Sequence, residues 1–548
     1  MLLGIDVGGT FTDAVLIGRG TIIAQAKRRT THEAVLQGIL EALDEVLQEQ
    51  EVYNIERVVI SSTIVTNALT EGRTDPVFLA VMTGPGMNVS KSFPVEPYYV
   101  DHRGKITARI DWQKHQGLRS KAKNKMAAVS GKFSVRNPEN EYALAGELKD
   151  CGYEKIFLGS ELSGELNFVR RTNSAYFAAA VYKIFKNFGR QVQDSLKERN
   201  ITAPVHVLKA DGGTLPLEIA LKQPVETIFT GPAASVLGIE ALGAPQVKSI
   251  SLDVGGTTTD IAFWENGLPL LARHGAKVAG YPTAVRSFHM RSVGIGGDSR
   301  IRRTETGFAV GPERIGPAMA VGGCEPTLSD ALIVAGRVGF GDKAAAHKGM
   351  QQLCLMGETA VEVARQVVEA AVSVIEATIN EMLHEWSIQP VYTVNDVIKG
   401  TEFEPELLVG VGGGAAGLIM AVGERMGLPV EIPAGATVAN AVGAALARPT
   451  LAASLRADTT EGYYLIPESG QRERLPSSFS MKMAEELLAA WLHEQAKAWQ
   501  LPGQEAEVIS KEFFRTIHGY YDSGEIISLR MQLKPGILQT VIGREVAF

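Results

Sequence analysis

Cysteine is scarce in this chain. Cys151, Cys324 and Cys354 are the whole complement among 548 residues. They are too few and too scattered for a disulfide framework, a Cys-x-x-Cys metal site or an iron–sulfur cluster. They read as reduced core or loop residues of a cytoplasmic protein. The ten histidines include no His-x-His or His-x-x-x-His pair, so a structural zinc site has no local support. No Gly-x-x-x-x-Gly-Lys-Ser/Thr phosphate loop and no Gly-x-Ser-x-Gly nucleophile elbow occurs. No apolar run approaches membrane-spanning length. The N-terminal run is broken by Asp6 and has no basic lead-in, which argues against a signal peptide. Positive charge is not in excess either: the formal net charge is −7, against the balance of a dedicated nucleic-acid binder. The remaining composition, 45% hydrophobic and 21% charged, is that of a globular protein large enough for about three or four domains.

What is present is a duplication. Asp6-Val7-Gly8-Gly9-Thr10-Phe11-Thr12-Asp13 returns as Asp253-Val254-Gly255-Gly256-Thr257-Thr258-Thr259-Asp260, with seven of eight positions identical. Each copy lies between two apolar runs, so each predicts strand, tight Gly-Gly turn, strand. A hairpin built twice, far apart in the chain, predicts two similar halves facing one another. Adjacent glycines let backbone N–H groups approach an anion, because no Cβ intervenes. Thr10, Thr12, Thr257 and Thr259 add hydroxyls. Asp6 and Asp253, at strand ends, supply hard oxygens that suit Mg²⁺, usually through water. Two such loops can hold a polyphosphate and its metal between them. In a Rossmann fingerprint, by contrast, the glycine turn opens a helix.

Periodicity places the remaining elements. A further strand is expected near Thr21–Arg28, helices over His32–Gln50 and Asn173–Glu198, and strands at Arg57–Ser62, Val77–Met82, Glu154–Gly159 and Pro204–Lys209. Thr359–Trp386 reads as a long amphipathic packing helix. Leu407–Val411 reads as a buried strand running into the glycine-rich turn Gly412–Gly417, which suits a flat ligand such as adenine or ribose. Asn440–Ala447 is a helix of small residues, fit either for a hinge between lobes or for close core packing. After Pro449 a helix over Ser480–Trp499 and a hairpin turning at Asp522-Ser523-Gly524 are expected. His102–Arg136 carries ten Lys or Arg residues against one acid, Asp111. It reads as a solvated connector in preference to a contact for a phosphate-bearing partner.

The order of these features resembles the actin, sugar-kinase and heat-shock chaperone ATPase superfamily. Within it, the chain specifically resembles the A subunit of the hydantoinase/oxoprolinase family. Ile5–Asp13, the Thr-rich Ser61–Leu69, Phe229–Ser235, Ser292–Gly297 and Pro326–Ala331 carry that resemblance, which extends from residue 1 to about 450. Ser61-Ser62, Asp211-Gly212-Gly213 and Met319–Gly322 depart from the family's usual pattern. The resemblance implies an α/β fold of two actin-like ATPase lobes around a nucleotide cleft, with a small α+β C-terminal appendage. Residues 1–175 would form the N-terminal lobe, 176–450 the second lobe with the adenosine and hinge motifs, and 451–548 the appendage.

The implied chemistry is ATP-driven opening of a cyclic amide such as a hydantoin or 5-oxoproline. Resonance makes the amide C–N bond hard to break, and phosphorylation of the amide oxygen activates it. Asp6 and Asp253 would be the catalytic and metal residues. Gly8, Gly9, Thr10, Thr12, Gly255, Gly256 and Thr257 would cradle phosphates. Gly412, Gly413 and Gly414 would line the adenosine pocket. Thr63, Thr66 and Asn67 would face the substrate. Asp13 and Asp260 would either assist the metal or hold the turn. Gly296, Gly297 and Asp298 would lie at the cleft or in a surface loop. The cofactors are ATP and Mg²⁺. The partners expected are the small cyclic amide and a B-type hydrolase subunit, within an oligomer and without nucleic acid or membrane. The alternatives are a kinase or carboxylase-type subunit phosphorylating another carbonyl or enolate, and an ATPase switch that remodels a partner protein.

Overall fold

The computed structural model describes residues 1–30, 35–48, 54–84, 99–102, 104–107, 126–388, 403–413, 416–476, 478–501, 503–518 and 521–542. Gly414 and most of the basic 102–136 segment lie outside them.

The fold is α/β. Its first sheet begins with β1 (Leu2–Val7), β2 (Phe11–Gly18) and β3 (Thr21–Arg29), an antiparallel meander. β4 (Arg57–Ser62) pairs parallel with β1, and the strands Val205–Leu208 and Thr214–Pro216 complete a six-stranded sheet. β1 and β4 are buried almost throughout, which is why they read as continuous apolar runs. Helix Val35–Leu47 covers this sheet with Ile39, Leu43 and Val46, set against Leu3, Ile5 and Val7.

The second hairpin founds a second sheet of the same plan. Strands Ser249–Val254 and Thr259–Glu265 pair antiparallel, and Leu407–Val411 joins Ser249–Val254 in parallel. Met290–Val293 takes the place beside Thr259–Glu265 that β3 takes beside β2. Helix Ala360–Ser387 packs on this sheet through Val368, Val372, Ile375 and Ile379, and starts at a capping box between Thr359 and Glu362.

Helices Thr230–Gly243 and Ala439–Leu446 cross between the sheets. A Cβ on Gly238 would fall 2.1 Å from the Ala439 carbonyl, and one on Gly443 2.0 Å from the Ala234 carbonyl. The small residues of Asn440–Ala447 therefore serve a crossing in which backbones touch.

A three-stranded parallel sheet (Val77–Met82, Met126–Gly131, Lys155–Leu158) stands apart from the two hairpins. The last part of the chain is a five-stranded antiparallel sheet covered by helix Met481–Ala498. There the hairpin differs from expectation. Its arms are Ala506–His518 and Tyr521–Leu533, and His518 pairs with Tyr521. Asp522-Ser523-Gly524 thus sits inside the second arm, next to a register shift at Thr516/Ile517. Glycine there marks a bulge and not the turn. Helix Phe168–Glu198 begins earlier than its periodicity suggested, because Asn167 caps it by accepting from the Arg170 N–H. That helix runs through residue 175, and the first sheet draws strands from both sides of that position. Among the described residues no helix is long and apolar enough to cross a membrane.

Candidate functional site

The two hairpins have the same local geometry. Gly8 N–H donates to the Phe11 carbonyl at 3.0 Å, and Gly255 N–H donates to the Thr258 carbonyl at 2.9 Å. In register, Asp6 faces Asp13 and Asp253 faces Asp260. The turns meet tip to tip. A Cβ on Gly256 would lie 2.7 Å from Thr10 Oγ1, and one on Gly9 would lie 3.8 Å from Thr257 Oγ1. Between them opens a cleft of about 270 Å³.

Most of the sequence-derived candidates line this cleft: Asp6, Gly8, Gly9, Thr10, Asp253, Gly255, Gly256, Thr257, Gly412, Gly413 and Thr63. Gly412 has φ +112°, and a Cβ there would come within 2.3 Å of the Val254 carbonyl. Only glycine permits that approach. Gly297 and Asp298 also line the cleft. Their N–H groups donate to the Gly255 and Gly256 carbonyls at 2.9 and 2.7 Å, so this third glycine loop braces the second turn.

Three candidates are placed otherwise. Thr12 is buried and shares a 2.9 Å hydrogen bond with Thr30. Thr66 Oγ1 accepts from the Phe229 N–H at 2.9 Å, and Asn67 Nδ2 donates to Thr63 Oγ1 at 3.2 Å. Thr66 and Asn67 thus steady the segment that presents Thr63.

Four carboxylates crowd the centre. Burial pushes Asp6 up to about 7, with nearby Asp13 and Asp253 adding to it and the Ser61 and Asn440 side chains opposing. Burial likewise raises Asp260 to about 7, with Asp253 and Asp6 adding. Asp253 is raised by burial and partly restored by Asn440, whose Nδ2 donates to Asp253 Oδ2 at 3.0 Å. Asp13 is raised by burial against the pull of Lys27, whose ammonium reaches both its oxygens at 2.7 and 2.8 Å. Buried like charges of this density favour a cation among them. Asp6 Oδ1 and Thr10 Oγ1 are buried with no hydrogen-bond partner, which marks both as aimed at something other than the protein. Among the described residues no three His, Cys, Asp or Glu side chains converge on one point. Asp6 and Asp253 offer hard carboxylate oxygens of the kind that Mg²⁺ takes beside waters and phosphate oxygens.

Sequence reasoning missed Lys27, Arg29 and Asn440. The β2–β3 meander held a signal for Lys27, since its register sets Lys27 opposite Asp13. No local pattern marked Asn440, which reaches the aspartates only through the helix crossing. Asp330, inside the Pro326–Ala331 motif, is fully buried and accepts from the N–H groups of Met319, Ala320 and Thr327 at 2.8–2.9 Å. It shapes the segment that brings Ala318 and Val321 to the cleft wall.

A family model described as hydantoinase/oxoprolinase matches residues 171–453, and its N-terminal-region counterpart matches residues 2–152. The 5-oxoprolinase of Saccharomyces cerevisiae is 23% identical over 61% of this chain and 32% of its own length. The caprolactamase subunit alpha of Pseudomonas jessenii is 23% identical over 78% of this chain and 68% of its own. The chain thus spans about a third to two thirds of these relatives. The crystal structure of the ATP-dependent caprolactamase from Pseudomonas jessenii superposes with a TM-score of 0.70, covering 100% of this chain and 89% of that one at 18% identity. The nucleotide-free structure of an acetone carboxylase gives 0.67 over 98% of this chain and 87% of that one, also at 18% identity. These structural likenesses concern the fold.

Proposed function

The chain belongs to the hydantoinase/oxoprolinase family, and from that premise we propose that it is the ATP-binding, phosphorylating subunit of an enzyme that opens a cyclic amide. The observation that carries this reading is the meeting of the two Gly-Gly-Thr turns across one cleft, with Asp6 and Asp253 behind them and Asn440 between.

In this reading the phosphates lie between the turns, against the N–H groups of Gly8, Gly9, Gly255 and Gly256 and the hydroxyls of Thr10 and Thr257. Adenosine lies along Gly412-Gly413. Asp6 and Asp253 would hold Mg²⁺, and the bound metal would supply neutralisation of phosphate charge. Asn440 keeps the Asp253 carboxylate turned into the cleft. Thr63 marks the substrate side. The amide oxygen forms a bond to the terminal phosphorus while the bond to the departing ADP oxygen breaks, a step governed by positioning and charge stabilisation. The imidate-like phosphate that results is open to water. Since the sequence carries no nucleophile elbow and no histidine pair for a metal-bound water, ring opening is assigned to a separate B-type subunit, and the working enzyme to a cytoplasmic hetero-oligomer. Transfer to a different carbonyl or enolate, as a carboxylase requires, would use the same cleft.

ATP·Mg²⁺ at about 100 times its dissociation constant should stabilise the fold by roughly 2.7 kcal/mol. A melt with ATP and Mg²⁺ that overlays the melt without nucleotide would remove the reading. Mass spectrometry of a lactam incubated with ATP and the chain should find no net ring opening until a second subunit is added. Stoichiometric conversion by the chain alone would overturn the division of labour. Turnover indifferent to any lactam, ketone or enol would favour the ATPase-switch alternative.

A further inference from the structure

The cleft has a charge problem that its two glycine turns do not solve. Asp6, Asp13, Asp253, Asp260 and Asp298 all line it, and a polyphosphate would add several more negative charges. Among the described residues its lining contains two cations, Lys27 and Arg29, both on β3. Arg29 lies near Asp298, a carboxylate already engaged by Arg314 at 3.0 Å.

Lys27 is placed differently. Its Nζ donates to both oxygens of Asp13 and, at 3.1 Å, to the Thr437 carbonyl. Its Cε lies 3.0 Å from where a Cβ on Gly413 would stand. The Phe11 ring lies 5.2 Å from the ammonium and supports it from the first hairpin. The head group therefore stands where the first phosphate turn, the Gly412-Gly413 turn and the Thr437–Asn440 segment come together. The Lys27 side chain as a whole is 27% exposed, and it lines the cleft. Among the described residues, the register position opposite Asp260 holds Ser292, where the first half has Lys27 opposite Asp13.

We infer that Lys27 is the cation that binds the phosphate chain of the nucleotide, at the junction between phosphates and adenosine. The inference rests on the nucleotide reading of the cleft. A lysine suits the task, as its ammonium is a point charge on a flexible stem that can turn from Asp13 to a phosphate oxygen without moving the backbone. Asp13 then acts as its resting partner and Thr437 as its anchor to the second half. Because Ser292 supplies no charge, the protein's attraction for the phosphates is one-sided, and the nucleotide enters with a defined polarity.

Calorimetric titration of ATP and of adenosine, each with Mg²⁺, decides the matter. Lys27→Met should lose about tenfold or more in ATP affinity, the worth of one charge-assisted hydrogen bond. Adenosine affinity should stay within about twofold. Lys27→Arg should fall between Lys27→Met and the parent chain, and Arg29→Met should lose less than Lys27→Met. A double variant, Asp13→Asn with Lys27→Met, removes the ion pair without leaving a lone carboxylate, and should show the same selective loss if the single variant folds poorly. Equal ATP affinity in parent and Lys27→Met, a parallel loss of adenosine, or a loss confined to Arg29→Met would each overturn the assignment. Failure of the parent chain to bind either ligand would bring down the nucleotide reading itself, and this inference with it.

Discussion

The two hairpins share seven of eight residues and one backbone register, yet they occupy different electrostatic settings. Asp13 faces Lys27 across the next strand and is held by it at 2.7 Å. Asp260 faces Ser292 and is pushed up to about 7 by burial and by its neighbours. Asp6 stands beside Ser61 with one oxygen unpartnered, whereas Asp253 stands beside Val411 and takes a hydrogen bond from Asn440. A repeated motif therefore specifies a repeated backbone, while the strand added next to it decides what each carboxylate can do. A one-sided site suits phosphoryl transfer, in which the two ends of the phosphate chain need different surroundings.

The sharpest test of this contrast addresses Asp6 and Asp253, the pair proposed to hold the metal. Asp6→Asn and Asp253→Asn should each lower phosphoryl transfer by about 100- to 1,000-fold. The melt without nucleotide should not fall, because each substitution keeps shape and removes a carboxylate that burial disfavours. Loss of folding in either variant would make that aspartate structural.

Asp13→Asn and Asp260→Asn should move stability in opposite directions. Asp13→Asn leaves Lys27 without its anion and should cost about 1–2 kcal/mol, less than a fully buried pair because Lys27 is partly exposed. Asp260→Asn should stabilise the chain by about 1 kcal/mol at pH 8. The folded chain holds the Asp260 proton up to about pH 7, whereas the unfolded chain releases it near 3.8. Folded protein thus binds more protons across that window, and its stability falls as pH rises through it. Denaturant melts from pH 5 to 8 should show a shallower decline in Asp260→Asn than in the parent. Changes of equal sign in the two variants would dissolve the comparison.

The smallest effects concern the turn tips. Gly256→Ala brings a methyl within 2.7 Å of Thr10 Oγ1 and should cost about 1–3 kcal/mol, while Gly9→Ala meets an ordinary 3.8 Å contact and should stay within about 0.5 kcal/mol. Equal melting temperatures for the two variants would mean that the tips do not meet as described.

Much of this was legible in the residues. The hairpins, the strands Arg57–Ser62 and Leu407–Val411 and the long helix after Thr359 follow from apolar runs, Gly-Gly turns and an apolar stripe at helical spacing, signals that lie within a few residues of what they specify. The sequence predicts the terminal turn at Asp522-Ser523-Gly524, where the structure has a bulge, because a glycine inside a bulged strand carries the same local signature as one in a turn. Thr66 and Asn67 carry no local mark of the partners they take. Their partners, the Phe229 N–H and Thr63 itself, come from a long-range contact and from the helix repeat.

Two matching Gly-Gly turns with aspartates at their strand ends could be read from the order of amino acids alone. That order carried no statement that the turns oppose each other, that Asn440 stands between Asp6 and Asp253, or that Lys27 serves one half while Ser292 serves the other. Those facts come from the crossing of helices Thr230–Gly243 and Ala439–Leu446 and from which strand lies beside each hairpin. Hydrogen-bond register and turn chemistry act over a few residues, so a motif can record them. The field at a buried carboxylate is a sum over neighbours that arrive from distant parts of the chain, and only folding brings them together.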